Sequence, residues 1–369
     1  MIDGSTSTVA LMSDQRMLQT LGSTPAAVSE PLFRRLEGSP LARDEARRLL
    51  TCHHNEMAAV LMVAGFLRTL TYKRFVTYSR KVFIPLTNMC RDACGYCGFR
   101  REPTDYGARI LTPSEVLEFA QKGQAAGCKE ALLMLGDRPE ARYEEARVML
   151  RRLGYSSIID YLIDIAQLLT EKTSLLPHSN AGLLTKREMT ALREFNISLG
   201  LMLENVSERL CEKGGPHEFA FSKRPKSRLA TIEAAGELGI PFTTGLLIGI
   251  GETPEETLDS LYAITRLHEK HGHLQEVIIQ NLAPKPGTAL ANFSTPPLEE
   301  MLRTIAVARI ILPTTVNLQA PPNLSPNAYH NLLSGGINDW GGVSPVTVDF
   351  VNPEAPWPEI SALREATVS

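Results

Sequence analysis

From about residue 80 onward, short continuous apolar runs alternate with segments that carry helix start signals. The runs cover residues 82–88, 131–137, 174–180, 197–205, 241–251, 276–281 and 315–319. Runs of this length without regular polar alternation are typical of strands in a parallel sheet. Between them, Thr112-Pro113-Ser114-Glu115 reads as a capping box with proline at the first helical position, and Thr185…Glu188 and Thr253-Pro254-Glu255-Glu256 also start helices. Gly239 ends a helix over 226–238, where a left-handed C′ residue is favoured. Repeated strand–helix units with right-handed crossovers give a doubly wound sheet or a (β/α) barrel. A dinucleotide-binding sheet needs a glycine-rich turn after its first strand, and none is there. The near match at Gly249-Ile250-Gly251 has Pro254 where the third glycine belongs. The expected fold is α/β, a partial or complete TIM-type (β/α) barrel, with a site formed by the residues that follow each strand. A mobile tail over 1–35, a helical lead-in over 36–75 and a barrel with a C-terminal extension over 76–369 complete the expected organisation.

Composition narrows the function classes. The 369 residues are 43% hydrophobic, enough for a large core, and the net charge of −3 with scattered Lys and Arg gives no nucleic-acid footprint. The longest apolar run, 58–67, lies between Glu56 and Arg68 and is too short to span a membrane. Six cysteines in a chain this long do not make a disulfide scaffold. Three fall within eight residues, while Cys52, Cys128 and Cys211 are scattered and read as small buried hydrophobes. That distribution fits a metal site in a reducing cytoplasm.

Cys90-x3-Cys94-x2-Cys97 directly follows the first apolar run, on the face where a barrel builds its site. Thiolates are the usual ligands of iron–sulfur clusters, and a cubane takes four. Three local cysteines leave one iron open, as a catalytic metal keeps a position for substrate. A zinc knuckle would need a second ligand pair, and the sequence has none. This spacing resembles the radical S-adenosylmethionine (SAM) superfamily. The resemblance implies a [4Fe–4S] cluster on Cys90, Cys94 and Cys97, with SAM chelating the fourth iron and yielding a 5′-deoxyadenosyl radical. It also implies SAM-binding roles. Tyr96 takes the aromatic position near the adenine. Gly136 and Asp137, in Leu135-Gly136-Asp137, stand where relatives have Gly-Gly-Glu for the SAM amino group. Glu204 matches the residue that reaches the ribose, and Gly249 and Glu252 fall in a G-x-L-x-G-x-x-E version of the adenine strand.

A closer resemblance runs from about residue 75 to 358. Residues 78–88, Leu135-Gly-Asp-Arg-Pro-Glu140, Leu176-Pro-His-Ser-Asn180, Gly200-Leu-Met-Leu-Glu204, Asn317-Leu-Gln-Ala-Pro-Pro322 and 336–345 are similar to FO synthase of the small-subunit type. That family makes the deazaflavin FO. The resemblance implies hydrogen abstraction from a 5-amino-5-(4-hydroxybenzyl)-6-(D-ribitylimino)-5,6-dihydrouracil adduct, ring closure and release of ammonia. With one triad in the chain, it also implies a second radical SAM subunit of the large-subunit type, which makes the adduct, and an electron donor. Alternatives are another radical SAM enzyme of the aminofutalosine or biotin synthase type, and a non-catalytic iron–sulfur or zinc scaffold.

Remaining candidates follow from position. His178 and Asn180 end one strand and Asn281 another, so their side chains are expected to face the cavity. Asn338 and Asp339 lie in a glycine-rich stretch suited to close backbone approach to a ligand, although a tight turn capped by Asp339 would explain the same pattern. His178, then Asp339, are the candidate bases; Asn180, Asn281 and Asn338 are the candidate substrate contacts.

Overall fold

Eight parallel strands pair in chain order and close into a barrel in the computed structural model, which describes residues 15–368. They are β1 (Thr77–Thr87), β2 (Glu130–Leu135), β3 (Leu176–Asn180), β4 (Ser198–Gly200), β5 (Phe242–Ile248), β6 (Leu274–Asn281), β7 (Asn317–Gln319) and β8 (Asp339–Val343). Among the described residues four helices precede the barrel: α1 (Gln15–Ser23), α2 (Ala26–Leu36), α3 (Arg43–Leu50) and α4 (Met57–Tyr72). Between the strands run α5 (Pro113–Ala125), α6 (Glu144–Leu153), α7 (Ile158–Lys172), α8 (Lys186–Arg193), α9 (Pro225–Glu237), α10 (Pro254–His271) and α11 (Leu298–Ile311), and α12 (Ile360–Val368) follows β8.

The caps read from sequence form. Thr112, Thr185 and Thr253 each accept the N3 amide and complete a capping box, and Gly239 takes φ +62°. Residues alternate along the strands as a closed barrel requires. Val82 and Ile84 of β1, Ala131 and Leu133 of β2, and Val277 and Ile279 of β6 are fully buried between sheet and helices. Their neighbours Lys81, Phe83, Leu132, Met134, Glu276 and Ile278 line the interior.

Three expectations change. Residues 15–35 are not a mobile tail: Met17, Leu21, Val28 and Leu32 are completely buried on α1 and α2. Residues 1–14 lie outside the described residues. The fourth run contributes only Ser198–Gly200 to the sheet, and beyond it the chain leaves the ladder apart from a bridge between Glu204 and Leu246. Asp339 does not sit in a loop; it opens β8, which pairs with β7 and β1 and closes the barrel, and its carboxylate caps the Gly341 amide within the strand.

β8 is much shorter than β1, and its pairing with β1 stops at Arg80. Past that point the Phe83 amide donates instead to the Thr347 hydroxyl at 3.1 Å. Trp357 stacks on Phe83 at 5.2 Å, so the extension after β8 covers this seam. Among the described residues no helix is long and apolar enough to cross a membrane.

Candidate active site

A cavity of about 410 Å³ runs from the cysteine loop into the barrel, and Cys90, Cys94 and Cys97 all line it. That volume lies in the range of small-molecule sites. The loop follows β1 and is fastened to the strand ends around it. The Arg91 amide donates to Asp137 O at 2.9 Å, Ala93 to Phe219 O at 2.8 Å and Gly95 to Pro216 O at 2.7 Å. Asp92 is buried and accepts both the amide and the hydroxyl of Ser222. Gly136, just after β2, touches the loop so closely that a Cβ there would lie 2.0 Å from Met89 O and 2.7 Å from Cys90 Cβ. The neighbouring Asp137 amide donates to Cys90 Sγ at 3.1 Å.

These features fit a cluster. An amide aimed at a cysteine sulfur stabilises the thiolate that iron requires, and such bonds tune cluster potential. The three sulfurs share one cavity, yet among the described residues no three His, Cys, Asp or Glu groups could hold a single metal ion. Thiolates that each take a separate corner of a cubane do not have to converge. Burial pushes the Cys90 thiol up to about 12 and the Cys94 thiol higher still. Ligation is therefore what would ionise them at neutral pH.

Beside the loop, Tyr96 is held by a 3.0 Å hydrogen bond between its hydroxyl and His217 Nε2. It packs on Leu210, Leu247, Ile250 and Leu282. Glu204 is buried, pairs with Lys223 at 2.5 Å and holds φ +64°, a left-handed conformation a non-glycine residue adopts only where its surroundings enforce it. The Asp137 carboxylate pairs with Arg91 at 2.6 Å and accepts the Leu183 amide at 3.1 Å. Burial raises its pKa.

Tyr96, Gly136, Asp137, Glu204, His178, Asn180 and Asn281 thus line one cavity with the cysteines. His178 hydrogen-bonds through both nitrogens, to Ser198 at 2.5 Å and Asn180 at 3.3 Å. Burial and the Lys81 charge pull its pKa down to about 3. Asn281 donates to Leu324 O at 3.3 Å and leaves its own buried carbonyl oxygen without a partner.

Four expected residues are not among the lining. Gly249 (φ +89°) and Glu252 shape the turn after β5, the carboxylate accepting the Gly249 and Ile250 amides at 2.8 and 2.9 Å. Asn338 does not reach the cavity. It lies in the wall, accepting Arg309 Nη2 at 2.5 Å and the Leu318 amide at 2.9 Å. Asp339 sits one layer back, accepting the Gly341 amide at 2.7 Å and Gln319 Nε2 at 3.3 Å. Burial and neighbouring Glu276 raise its pKa to about 6. Sequence reasoning missed Lys223, Lys81, Glu276 and Gln319, which line the cavity. Lys81 and Glu276 do carry a signal, as charges directly before the apolar stretches 82–84 and 277–279.

Comparison with known proteins gives the family. A model of the radical SAM superfamily matches residues 84–262. The 7,8-didemethyl-8-hydroxy-5-deazariboflavin synthase of Methanopyrus kandleri is 54% identical over 292 residues, 79% of this chain and 87% of that protein. The FO synthase of Nocardia farcinica is 44% identical over 355 residues, 93% of this chain but 41% of that protein. Among solved structures, the FeFe-hydrogenase maturase HydG from Carboxydothermus hydrogenoformans superposes with a TM-score of 0.74 at 18% identity, over 98% of this chain and 83% of that one, a likeness of fold. By its identity to relatives that it spans over most of their length, the chain belongs to the 7,8-didemethyl-8-hydroxy-5-deazariboflavin synthase family of the radical SAM superfamily.

Proposed function

We propose that this chain forms the deazaflavin FO from a preformed hydroxybenzyl–ribityliminouracil adduct, by hydrogen abstraction, ring closure and release of ammonia. The observation that carries the proposal is a single cavity joining three cysteines at one end to a polar barrel interior at the other. Cys90, Cys94 and Cys97 would hold a [4Fe–4S] cluster, and Tyr96, Gly136, Asp137 and Glu204 would hold SAM beside it. Cluster and SAM together supply a radical able to remove a hydrogen atom from carbon.

The chain's own residues bind, orient and exclude water. Asp137 and Glu204 offer acceptors to an ammonium group and to ribose hydroxyls, and their pairing with Arg91 and Lys223 fixes them in place. Tyr96 with Leu247 and Leu282 gives an apolar wall for a purine. Closing the ring removes two electrons from the adduct, the number taken up when one SAM becomes methionine and 5′-deoxyadenosine. It also releases protons. His178 touches the cavity but is a weak base at a pKa of about 3. Asp339, at about 6, is closer to neutrality, but it stands behind Gln319 and does not line the cavity. His178 is therefore the candidate base that can meet the substrate.

One triad per chain supports a division of labour, in which a second radical SAM subunit makes the adduct. The longer Nocardia protein is consistent with both activities in one polypeptide. The test is anaerobic reconstitution with SAM, a reductant and the adduct. FO and 5′-deoxyadenosine are expected; SAM cleavage without FO would favour a different radical SAM substrate.

A further inference from the structure

We infer that the floor of the barrel cavity is a polyol subsite, which anchors the hydroxylated chain of the substrate away from the radical chemistry. The inference rests on the substrate proposed above and adds where its parts lie. In most closed barrels of this type, branched aliphatic side chains fill the interior. Here Lys81, His178, Thr243, Glu276 and Gln319 line it instead. Glycines make room for three of them: an added Cβ would come within 2.7 Å of Lys81 Cδ at Gly342, 3.0 Å of Gln319 Oε1 at Gly341 and 3.0 Å of His178 Nε2 at Gly200.

The floor groups have hydrogen-bonding capacity to spare. The Lys81 ammonium, with three protons, reaches Glu130 at 3.0 Å. Thr243 donates to one Glu276 oxygen at 2.8 Å, and Gln319 donates to Asp339 at 3.3 Å. The other Glu276 oxygen and the Gln319 carbonyl oxygen make no hydrogen bond within the described residues. Polar groups withdrawn from bulk water are costly unless a partner meets them. Mixed donors and acceptors around one floor suit a run of hydroxyls, each able to donate and accept.

Orientation follows from the two ends of the cavity. Lys81 lies deep in β1 and the cysteine loop follows Thr87, so at about 3.3 Å per residue roughly 20 Å of strand separates them. Phe83, Leu132 and Met134 line the stretch between and suit a planar ring. A C–H bond beside a hydroxyl is weak, so a ribityl chain is itself a target for a carbon radical. With the polyol on the floor, the hydroxybenzyl group and the ring carbons face the cysteines and the vulnerable C–H bonds are furthest from them.

The test uses protein loaded with cluster and SAM, and two fluorescent deazaflavins of identical ring, one bearing ribityl and the other methyl at the same nitrogen. The ribityl compound is expected to bind about tenfold tighter, as one or two net hydrogen bonds would provide. Glu276→Ala and Gln319→Leu should each bring its affinity toward that of the methyl compound, with iron content and methyl-compound affinity unchanged. Equal binding of the two compounds by the unsubstituted protein, or a preference that survives both substitutions, would overturn the subsite. Failure of both compounds to bind the loaded protein would instead overturn the deazaflavin reading beneath it.

Discussion

Cys90 and Cys94 are thiols whose burial opposes ionisation, so their role can be read from iron. Alanine at Cys90, Cys94 or Cys97 should give a folded, colourless protein without activity, because three thiolates are the minimum protein set. Cys128, buried after α5 and away from the cavity, should tolerate alanine with full iron content. Iron and absorbance per chain check both, and equal iron loss in the two kinds of variant would remove the triad from the site. Glu204→Ala removes a charged acceptor worth roughly 1.5–3 kcal/mol and leaves Lys223 unpaired, so calorimetry should show weaker SAM binding. Asp339 makes a pH prediction. Its pKa is raised to about 6 in the folded protein, so the folded state holds the proton more tightly than the unfolded chain. Stability is therefore unaffected by this group below about pH 4 and falls as pH rises to about 6, by an amount on the order of 3 kcal/mol. Asp339→Asn should flatten that slope in denaturant unfolding. The comparison belongs in the triple cysteine-to-alanine protein, which has no acid-labile cluster, and identical slopes would contradict it.

At the level of elements, the join between β2 and the cysteine loop is the most constrained. Gly136→Ala would drive a methyl group into Met89 O, which is backbone and cannot rotate away. Overpacking of this kind costs about 1–3 kcal/mol, and here it displaces the loop. Iron content should fall although all three cysteines remain; normal iron would show that the loop adjusts. This join was legible beforehand, since Cys90 follows one apolar run and Gly136 lies at the end of the next. Other elements were harder to see. β8 reads Asp339-Trp-Gly-Gly-Val343, and its glycines look like a turn; they serve instead to admit Lys81 and Gln319 into the barrel. Residues 15–35 look like a tail by composition, yet Met17, Leu21, Val28 and Leu32 repeat at helical spacing. The capped helices α5, α8 and α10 were legible because Thr and Glu at fixed offsets specify a local geometry. Asn338 misled because a buried amide that satisfies Arg309 and one that meets a ligand carry the same sequence signature.

Across the whole molecule, the barrel brings the ends of β1, β2 and β5 and the segment after β4 to one mouth and keeps a polar floor beneath it. On the function proposed above, the one triad in this sequence serves one radical step per turnover, on a substrate whose new carbon–carbon bond already exists. With SAM and a reductant but no partner subunit, tyrosine plus the ribitylaminouracil should therefore yield no deazaflavin. The most direct measurement supplies the preformed adduct to the reconstituted protein and quantifies FO fluorescence, ammonia and 5′-deoxyadenosine together. FO with one 5′-deoxyadenosine and one ammonia per product is expected. FO made by this chain alone from tyrosine and the ribitylaminouracil, or abundant 5′-deoxyadenosine with no FO from the adduct, would contradict it.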